Sequence, residues 1–407
     1  MKSSRPSGRR AARRTAHAAA PVAAAVACLL AAGCGSSPAS GAARIGPPLT
    51  SPLATSFATA AGSDVAIVEM GGSAAQENNF WQLFVRPGPT APWRLATPVG
   101  VADNGGLVVA SGDGSLLTGF RPSQDLTYSP LASSTDNGAS WSPAGPVNPG
   151  LANVPDSLAA SPNGSLVALT EGGTVQLGSG SGSSWKRLSS ASALAATPAG
   201  RACGLTGLTA AAFTSSGTPV LAGGCSRPGT VGIFTSSDAT GGDSARWQAA
   251  SPALPASLAR TDIGVLRLTA SGTGMIALLQ AGTGSQASLV AAFWQPGSRA
   301  GSAGTWTLSA PLRTGAGQLE STTVGPGSAV GVTLSGSRGA ILAGPGSAWQ
   351  TLTTLPRWTA TIALGPAGAV DAIGAHLGTF TDWRLQPGSG WTKAQTIQVQ
   401  IPYGSSS

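Results

Sequence analysis

Short apolar runs alternate with turn residues along most of this chain. Examples are LVVASGDGSLLTGF at 107–120, SLAASPNGSLVAL at 157–169 and IALGPAGAVDAI at 362–373, where two β-rich runs flank a tight turn. Comparable turns stand at Gly62, Gly217, Gly272 and Gly327. Runs of this kind, joined by Gly, Asn, Asp or Pro, predict a succession of β-hairpins.

Seven tryptophans recur in step with these hairpins, each after a turn rich in Gly, Pro or Ser. They span 93–391 in six intervals of about 50 residues, the period of propeller blades. The triplet FWQ, at 80–82 and 293–295, precedes two of them and predicts a third strand. We therefore expect an all-β, seven-bladed β-propeller with four-stranded blades. Six or eight blades remain as alternatives because two intervals are long. The repeat tryptophans are Trp93, Trp141, Trp185, Trp247, Trp306, Trp349 and Trp391.

The segment TIQVQI at 396–401 alternates between polar and apolar residues like one further strand. Such a strand would close the ring by pairing with the first or the last blade.

The stretch STDNGASW at 134–141 fits the pattern S-x-D-x-G-x-x-W without a mismatch. An Asp in a turn accepts backbone N–H groups, and Gly supplies the positive φ that a tight reversal needs. The stretch resembles the Asp-box of the sialidase-like, or BNR, β-propellers. The resemblance implies a turn between the third and fourth strands of a blade, with structural roles for Ser134, Asp136, Gly138 and Trp141. The corresponding turns of the other units keep only parts of the pattern.

The first 33 residues have the form of a secretory leader, with a basic start and an apolar run at 18–32 that is too short to span a bilayer. LAAGC at 30–34 resembles the lipobox of bacterial lipoproteins, which implies that Cys34 carries a lipid and that the protein lies on the outer face of the cell membrane. A plain signal peptide cut near Ala32 is the alternative, and either Sec or twin-arginine export is compatible with the leader. Residues 34–52 are predicted as a flexible tether, 53–403 as the propeller and 404–407 as a disordered tail.

Charge distribution and cysteine usage agree with this extracytoplasmic localisation. The net charge of +8 is concentrated in the leader, since 6 of the 23 basic residues lie in the first 14 positions. No basic face remains for nucleic acid. Apart from Cys28 in the leader and Cys34, the chain has Cys203 and Cys225, for which an oxidising compartment favours a disulfide; two buried thiols are the alternative.

Candidate chemistry is sparse. Beyond the leader the chain has one histidine, His376, for which we expect a structural role, and neither a metal nor a cofactor is expected. The turns at 103–105 and 111–115 could offer oxygen ligands to calcium, but Asp, Gly and Ser are also ordinary turn residues.

The sialidase resemblance raises the alternative of a glycan-processing enzyme. Sialidases use a Tyr nucleophile, an acid partner and an Arg cluster, whereas Tyr128 and Tyr403 have no neighbouring Glu here. Phe120-Arg121-Pro122 is similar to the family's Phe-Arg-Ile-Pro but lacks the Ile. The arginines available for such a cluster are few and widely spaced: Arg121, Arg267 and Arg313. An enzyme would be favoured if one of three carboxylates met an Arg in a central pocket: Asp125, Asp371 or Asp382.

The composition favours recognition over catalysis. Only 9% of the residues are charged, so the loops would present a smooth, weakly charged surface suited to a protein or glycan partner. Aromatic residues on loops commonly contribute strongly to binding. Four tryptophans lie outside the repeat, most of them expected in blade cores. We therefore expect a lipid-anchored, monomeric, extracytoplasmic binding or assembly module. The four are Trp81, Trp294, Trp358 and Trp383.

Overall fold

The computed structural model describes residues 64–400, apart from 72–79, 89, 99–105, 113–114, 121–128, 148–149, 153–156, 180–181, 183, 237, 239–245, 298–303, 316, 353 and 387. The predicted leader, tether and tail, with Cys34, lie outside these residues. None of the helices in the described part of the chain has the length and apolar character needed to span a bilayer.

The described strands form seven small antiparallel sheets arranged in a ring, each built from consecutive strands of the chain. This confirms the predicted seven-bladed β-propeller and excludes six or eight blades. Six sheets have four strands in chain order, and one of these gains a short fifth strand. The first sheet has three described strands, and the last of them follows Trp93 as fourth strands follow the repeat tryptophans elsewhere.

The first blade contains β1 (Asp64–Gly71), β2 (Phe80–Arg86) and β3 (Arg94–Leu95). The second contains β4 (Gly106–Gly112), β5 (Ser115–Phe120), β6 (Ser129–Ser134) and β7 (Ser142–Val147). The third contains β8 (Leu158–Ala160), β9 (Ser165–Leu169), β10 (Thr174–Ser179) and β11 (Ser184–Ser190). Two short helices follow, α1 (Ala191–Ala195) and α2 (Pro198–Cys203).

The fourth blade contains β12 (Leu205–Phe213), β13 (Pro219–Cys225), β14 (Gly232–Ser236) and β15 (Trp247–Ala249). The fifth contains β16 (Ile263–Ser271), β17 (Gly274–Ala281), β18 (Ser288–Gln295), β19 (Thr305–Leu308) and the short β20 (Leu312–Arg313), which pairs with β18. The sixth contains β21 (Leu319–Val324), β22 (Val330–Leu334), β23 (Arg338–Leu342) and β24 (Trp349–Leu352). The seventh contains β25 (Thr359–Leu364), β26 (Val370–His376), β27 (Thr379–Gln386) and β28 (Gly390–Gln398).

The core lies between the blades. Every residue of the second strands β13, β17 and β22 is buried, because neighbouring blades cover both faces of these strands. The outermost strand β28 instead alternates between exposed and half-buried positions, as expected for a strand covered on one side. The hairpin turns at Gly217 and Gly272 join first to second strands with positive φ, as predicted. Gly62 lies outside the described residues.

The repeat tryptophans begin the fourth strands and connect neighbouring blades. The indole N–H of Trp306 donates to Ala250 O of the preceding blade at 2.8 Å. In the same way, Trp349 donates to Ala310 O at 3.0 Å and Trp391 to Thr354 O at 2.9 Å, each in the preceding blade. These three rings therefore pack at seams between sheets and satisfy their polar atoms there, whereas Nε1 of Trp93, Trp141 and Trp247 has no hydrogen-bond partner.

The ring closes where the last blade meets the first. The rings of Phe84 and Phe380 stack at 4.0 Å between centroids. Gln395 on β28 accepts a hydrogen bond from Trp93 N and donates one to Trp93 O, both at 2.7 Å. The segment at 396–401 is not a further strand: through Gln398 it is the end of β28, which pairs with β27 of the last blade, one of the two expected pairings.

The two faces of the ring differ. Because adjacent strands are antiparallel, links between second and third strands emerge on the same face as links from one blade to the next. This connection face carries α1, α2 and 3₁₀ turns at Ala256–Leu258 and Gly284–Gln286. The opposite face, the turn face, carries the links from first to second and from third to fourth strands. Its described links include 3₁₀ turns at Pro326–Ser328 and Pro366–Gly368.

Candidate functional site

The stretch Ser134–Trp141 forms the turn between β6 and β7, on the turn face. Ser134 Oγ accepts a hydrogen bond from Gly138 N at 2.7 Å and donates to Asp136 Oδ1 at 2.8 Å. Asp136 Oδ1 also accepts from Ser140 N at 2.8 Å. Hydrogen bonds from the Ser140 side chain and backbone, and from Ser134, lower the pKa of Asp136 to about 2. The hydrogen bonds of the Asp136 carboxylate therefore stabilise its own turn.

The same turn is attached to the preceding blade. Arg94 donates to the carbonyl oxygens of Gly138 at 3.1 Å and Asn137 at 2.5 Å. Gly138 has φ 76° and lies so close to Val85 that a Cβ would stand 3.2 Å from its Cγ2. Trp141 packs against the apolar cluster of the first blade. These contacts join the second blade to the first.

Cys203 and Cys225 form the predicted disulfide, with a Cα–Cα distance of 5.3 Å that is normal for such bonds. The bond links the end of α2 to the end of β13, so it lies on the connection face. Both cysteines are buried in the apolar cluster between the third and fourth blades. The helical insertion is therefore fixed covalently to the blade that follows it.

A cluster of buried charges lies in the seam between the seventh and first blades. Two cross-strand pairs build it: Asp64 stands opposite Arg86 in the first blade, and Asp371 opposite Arg384 in the seventh. Arg86 donates to Asp64 Oδ2 from Nε at 2.9 Å, and it also pairs with Asp371 across the seam. Arg384 Nε donates to Asp371 Oδ1 at 2.9 Å. With Asp382, these residues form what we call the seam cluster.

Asp382 is the carboxylate of the seam cluster with the fewest partners. Its nearest approach to Arg86 is 4.0 Å, and neither its Oδ1 nor Nε1 of Trp93 has a hydrogen-bond partner of good geometry. Burial, with the neighbouring charge of Asp371, raises the pKa of Asp382 to about 6, although Arg86 and Arg384 oppose the shift. Burial also raises the pKa of Asp64. Three carboxylates thus face two guanidinium groups.

The structure brings together two of the three carboxylates that an enzyme would have used, and it places them next to arginines. The side chains of Arg86, Asp371 and Asp382 are at most 4% exposed, so the group faces the interior of the seam. Trp93 covers it, with the Arg86 guanidinium carbon 4.8 Å from the indole centroid. This geometry suits ion pairing between blades. Asp125 lies outside the described residues.

The other residues singled out from the sequence are dispersed. Arg267 donates to Thr322 O and Oγ1 of the next blade at 3.2 and 3.1 Å. Arg313 is exposed on β20. Arg121, Tyr128, Tyr403 and the turn at 103–105 lie outside the described residues, as do the central residues of the turn at 111–115. Within the described ranges, no group of three His, Cys, Asp or Glu residues is arranged to hold a metal ion.

The extra tryptophans behave as expected except for one. Trp81 is buried in the first blade, and Trp294 and Trp383 are partly buried against blade cores. Trp358, in the link from β24 to β25, is 48% exposed on the connection face. It stacks on His376 with ring centroids 3.9 Å apart and planes 2° apart, while the Arg357 guanidinium carbon lies 4.6 Å from its ring. Leu377, next to His376, is 66% exposed. We call Arg357, Trp358, His376 and Leu377 the Trp358 patch.

Comparisons with known proteins address the fold. No family model matches the chain, and no curated protein matches its sequence. A xyloglucanase from Xanthomonas campestris is similar in structure with a TM-score of 0.52 and 13% identity over 82% of this chain, which spans about half (53%) of that enzyme. A protein from Lactobacillus plantarum has a TM-score of 0.50 and 12% sequence identity over 83% of this chain and 97% of its own. YCF48 from Cyanidioschyzon merolae has a TM-score of 0.44 and 15% sequence identity, covering 82% of this chain and 95% of its own. At these identities the likeness extends to the propeller fold alone.

Proposed function

We propose that this protein is a lipid-anchored, extracytoplasmic propeller that binds a protein or glycan partner through its connection face. The observation that carries the proposal is the location of the Trp358 patch. Its exposed indole and leucine lie on the face that also holds both helices and the disulfide. Binding residues commonly lie on loops that a rigid scaffold positions.

The connection face is held in one arrangement by hydrogen bonds between its loops. Gly229 N, between β13 and β14, donates to Thr261 O, between the fourth and fifth blades, at 2.8 Å. Gly282 N donates to Asp262 O at 2.9 Å, and Leu355 N to Ser337 O at 3.0 Å. A surface fixed before binding loses less conformational entropy when a partner docks.

The proposed localisation rests on the predicted leader and on the disulfide. LAAGC at 30–34 supports lipidation of Cys34, and a disulfide is typical of proteins in an oxidising compartment. The proposed tether at 34–52, rich in Gly, Ala, Pro and Ser, has an expected r.m.s. reach of about 25 Å as a flexible coil. The propeller would then stand just clear of the membrane.

A sialidase-like activity is supported chiefly by the resemblance of Ser134–Trp141 to the Asp-box. That turn lies on the turn face, where Asp136 bonds to Ser134 and Ser140. The carboxylates with raised pKa that meet an arginine belong to the seam cluster, which is buried. We therefore favour binding over catalysis.

Site-specific photocrosslinking in intact cells tests the proposal. A photoreactive amino acid replaces exposed residues of the connection face, Arg227 or Arg260, or exposed residues of the turn face, Ser216 or Thr273. All four positions are exposed, two on each face. Adducts of defined mass are expected from the connection face alone. Their loss on proteolysis or on glycosidase treatment identifies the partner as protein or glycan.

Equal adducts from both faces, or adducts only from Ser216 and Thr273, would contradict the proposal. The same would follow if none of the positions gave an adduct.

A further inference from the structure

Backbone strain coincides with exposure in the Trp358 patch. Trp358 has φ 66° and Leu377 has φ 45°, the left-handed region that bulky residues rarely adopt. Leu95, Trp358 and Leu377 are the three large hydrophobic side chains that are exposed within the described ranges, and two of them belong to this patch. Strained residues of this kind concentrate at binding sites, where a fixed side-chain direction is useful.

The strained residues are held by the surrounding backbone. Ala375 N donates to Trp358 O at 3.3 Å, and that carbonyl lies so near Gly374 that a Cβ there would stand 2.8 Å from it. On the other side, Gly378 N donates to Met70 O of the first blade at 2.7 Å. The two loops are therefore fixed to each other and to the closing seam. The indole and the leucine point outward from a rigid base.

The charge of the patch defines what it could bind. Arg357 forms no ion pair with a carboxylate within the described part of the chain, and its contact is with the Trp358 ring. A guanidinium and an indole N–H only donate hydrogen bonds. A ligand that complements these groups offers acceptors with negative charge, and the guanidinium fork fits a carboxylate in particular.

We infer that the Trp358 patch binds an acidic, apolar segment of a partner protein, with a carboxylate at Arg357 and an apolar side chain against Trp358 and Leu377. This deepens the proposed function and rests on it. A protein segment suits the patch better than a sugar, because His376 already covers one face of the indole and Leu377 adds an apolar contact. Exposed tryptophan and arginine are also the residues enriched among strong contributors to protein binding.

Binding of short fluorescent peptides to the purified full-length protein tests the inference. A peptide of Glu-Leu repeats is compared with Gln-Leu and Glu-Ser repeats and with the anionic glycan polygalacturonate. We expect the Glu-Leu peptide to bind at least about 10-fold more tightly than either analogue. Sedimentation of the protein alone shows whether a second copy occupies the patch.

Two variants separate recognition from folding. Trp358→Gly suits the left-handed backbone, so its melting temperature should equal or exceed that of the wild type while peptide affinity falls at least about 10-fold. Arg357→Gln should abolish the preference for Glu over Gln. The matched control is Lys393→Gln, since Lys393 lies 5.3 Å from the Trp383 ring in a similar cation and indole pair. This control should bind like the wild type.

Three outcomes would overturn the inference: equal binding of all peptides, binding of polygalacturonate alone, or self-association that Trp358→Gly abolishes. A photoreactive residue at Leu377 keeps this test distinct from that of the proposed function. Adducts from Arg227 and Arg260 but not from Leu377 would support binding through the connection face and contradict binding at the Trp358 patch.

Discussion

Arg86 in the first blade and Asp371 in the last blade form a buried ion pair although 285 residues separate them in the chain. Their pairing fixes the closure of the ring at a side-chain level, in addition to the stacked Phe84 and Phe380. Buried ion pairs stabilise little in total, but removing one partner leaves a charge without compensation. The seam cluster is therefore a sensitive point of the fold.

Replacing Arg86 should strongly destabilise the propeller. Arg86→Met leaves Asp64 and Asp371 buried without this guanidinium, and we expect a loss of about 3 to 5 kcal/mol in the free energy of unfolding. Denaturant unfolding followed by tryptophan fluorescence measures it. Arg384→Met is the control, because Arg384 is half-buried and Asp371 then keeps Arg86. Equal losses in the two variants would show that the seam does not depend on Arg86.

Stability should depend on pH through Asp382. Its pKa is about 6 in the folded protein, above the usual value near 4, so the folded state binds more protons between these values. The stabilising contribution of this group is complete below about pH 4 and is lost as pH rises through about 6. The raised pKa of Asp64 acts in the same direction.

Melting temperatures measured between pH 5 and 7.5 by calorimetry check this expectation. The melting temperature of the wild type should fall across this range, and Asp382→Asn should reduce the slope because the amide does not titrate. Asp136, with its lowered pKa, affects only more acidic solutions. An unchanged slope in Asp382→Asn would assign the pH dependence to other groups.

Loss of the disulfide should weaken the fourth blade. Closing 22 residues constrains the unfolded chain by about 3 kcal/mol on the loop-entropy model, and Cys203→Ser/Cys225→Ser should lose a similar amount. Chemical unfolding with and without reductant measures the effect. Thiol alkylation of the denatured, unreduced wild type should label neither cysteine; labelling of both would contradict the bond.

The turn at Ser134–Trp141 should contribute to stability and not to partner binding. Asp136→Ala removes hydrogen bonds within the turn and should lower the melting temperature, while Trp141→Ala should cost about 3 kcal/mol because it opens a cavity against the first blade. Thermal melts and the crosslinking yield from Arg227 are compared in each variant. An Asp136→Ala protein that melts like the wild type but gives no adduct would place this turn in the binding site.

Cys34→Ser should release the protein from the membrane. A dual acyl anchor holds a protein stably where a single weak signal does not. Fractionation of cells into membrane and medium, followed by immunoblotting, measures the distribution. The Cys28→Ser variant is the control, and it should leave retention unchanged because Cys28 lies within the predicted leader. Full membrane retention of Cys34→Ser would favour a plain signal peptide with another means of attachment.

The sequence predicted the repeat well because its markers are local. A glycine turn, a β-rich run and a tryptophan specify a hairpin and a seam within about one blade. Both FWQ triplets lie in the strand that precedes the repeat tryptophan, β2 in the first blade and β18 in the fifth. The long interval between Trp185 and Trp247 contains α1 and α2, which the repeat does not predict. Ser190 and Thr197 at the N-caps and Pro198 at the start of α2 are the signals that would have found them.

The seam cluster and the Trp358 patch could not be predicted in the same way. Arg86 and Asp371 meet only because the ring closes, and sequence separation gives no measure of that contact. Once the hairpins are paired, however, the registers that place Asp64 opposite Arg86 and Asp371 opposite Arg384 indicate two charge pairs. Trp358 carries no local signal of exposure, because other tryptophans of this chain are buried.

The closing contacts also impose an order on folding. Met70, Arg86 and Trp93 of the first blade find their partners in the turn between β26 and β27, on β26 and on β28, which follow all the other described blades in the chain. Joining chain segments so far apart carries a loop-closure cost that only the finished seam offsets. The first blade therefore leaves the ribosome with one apolar flank unmatched, and it must stay in that state until the C-terminal blade is available to cover it.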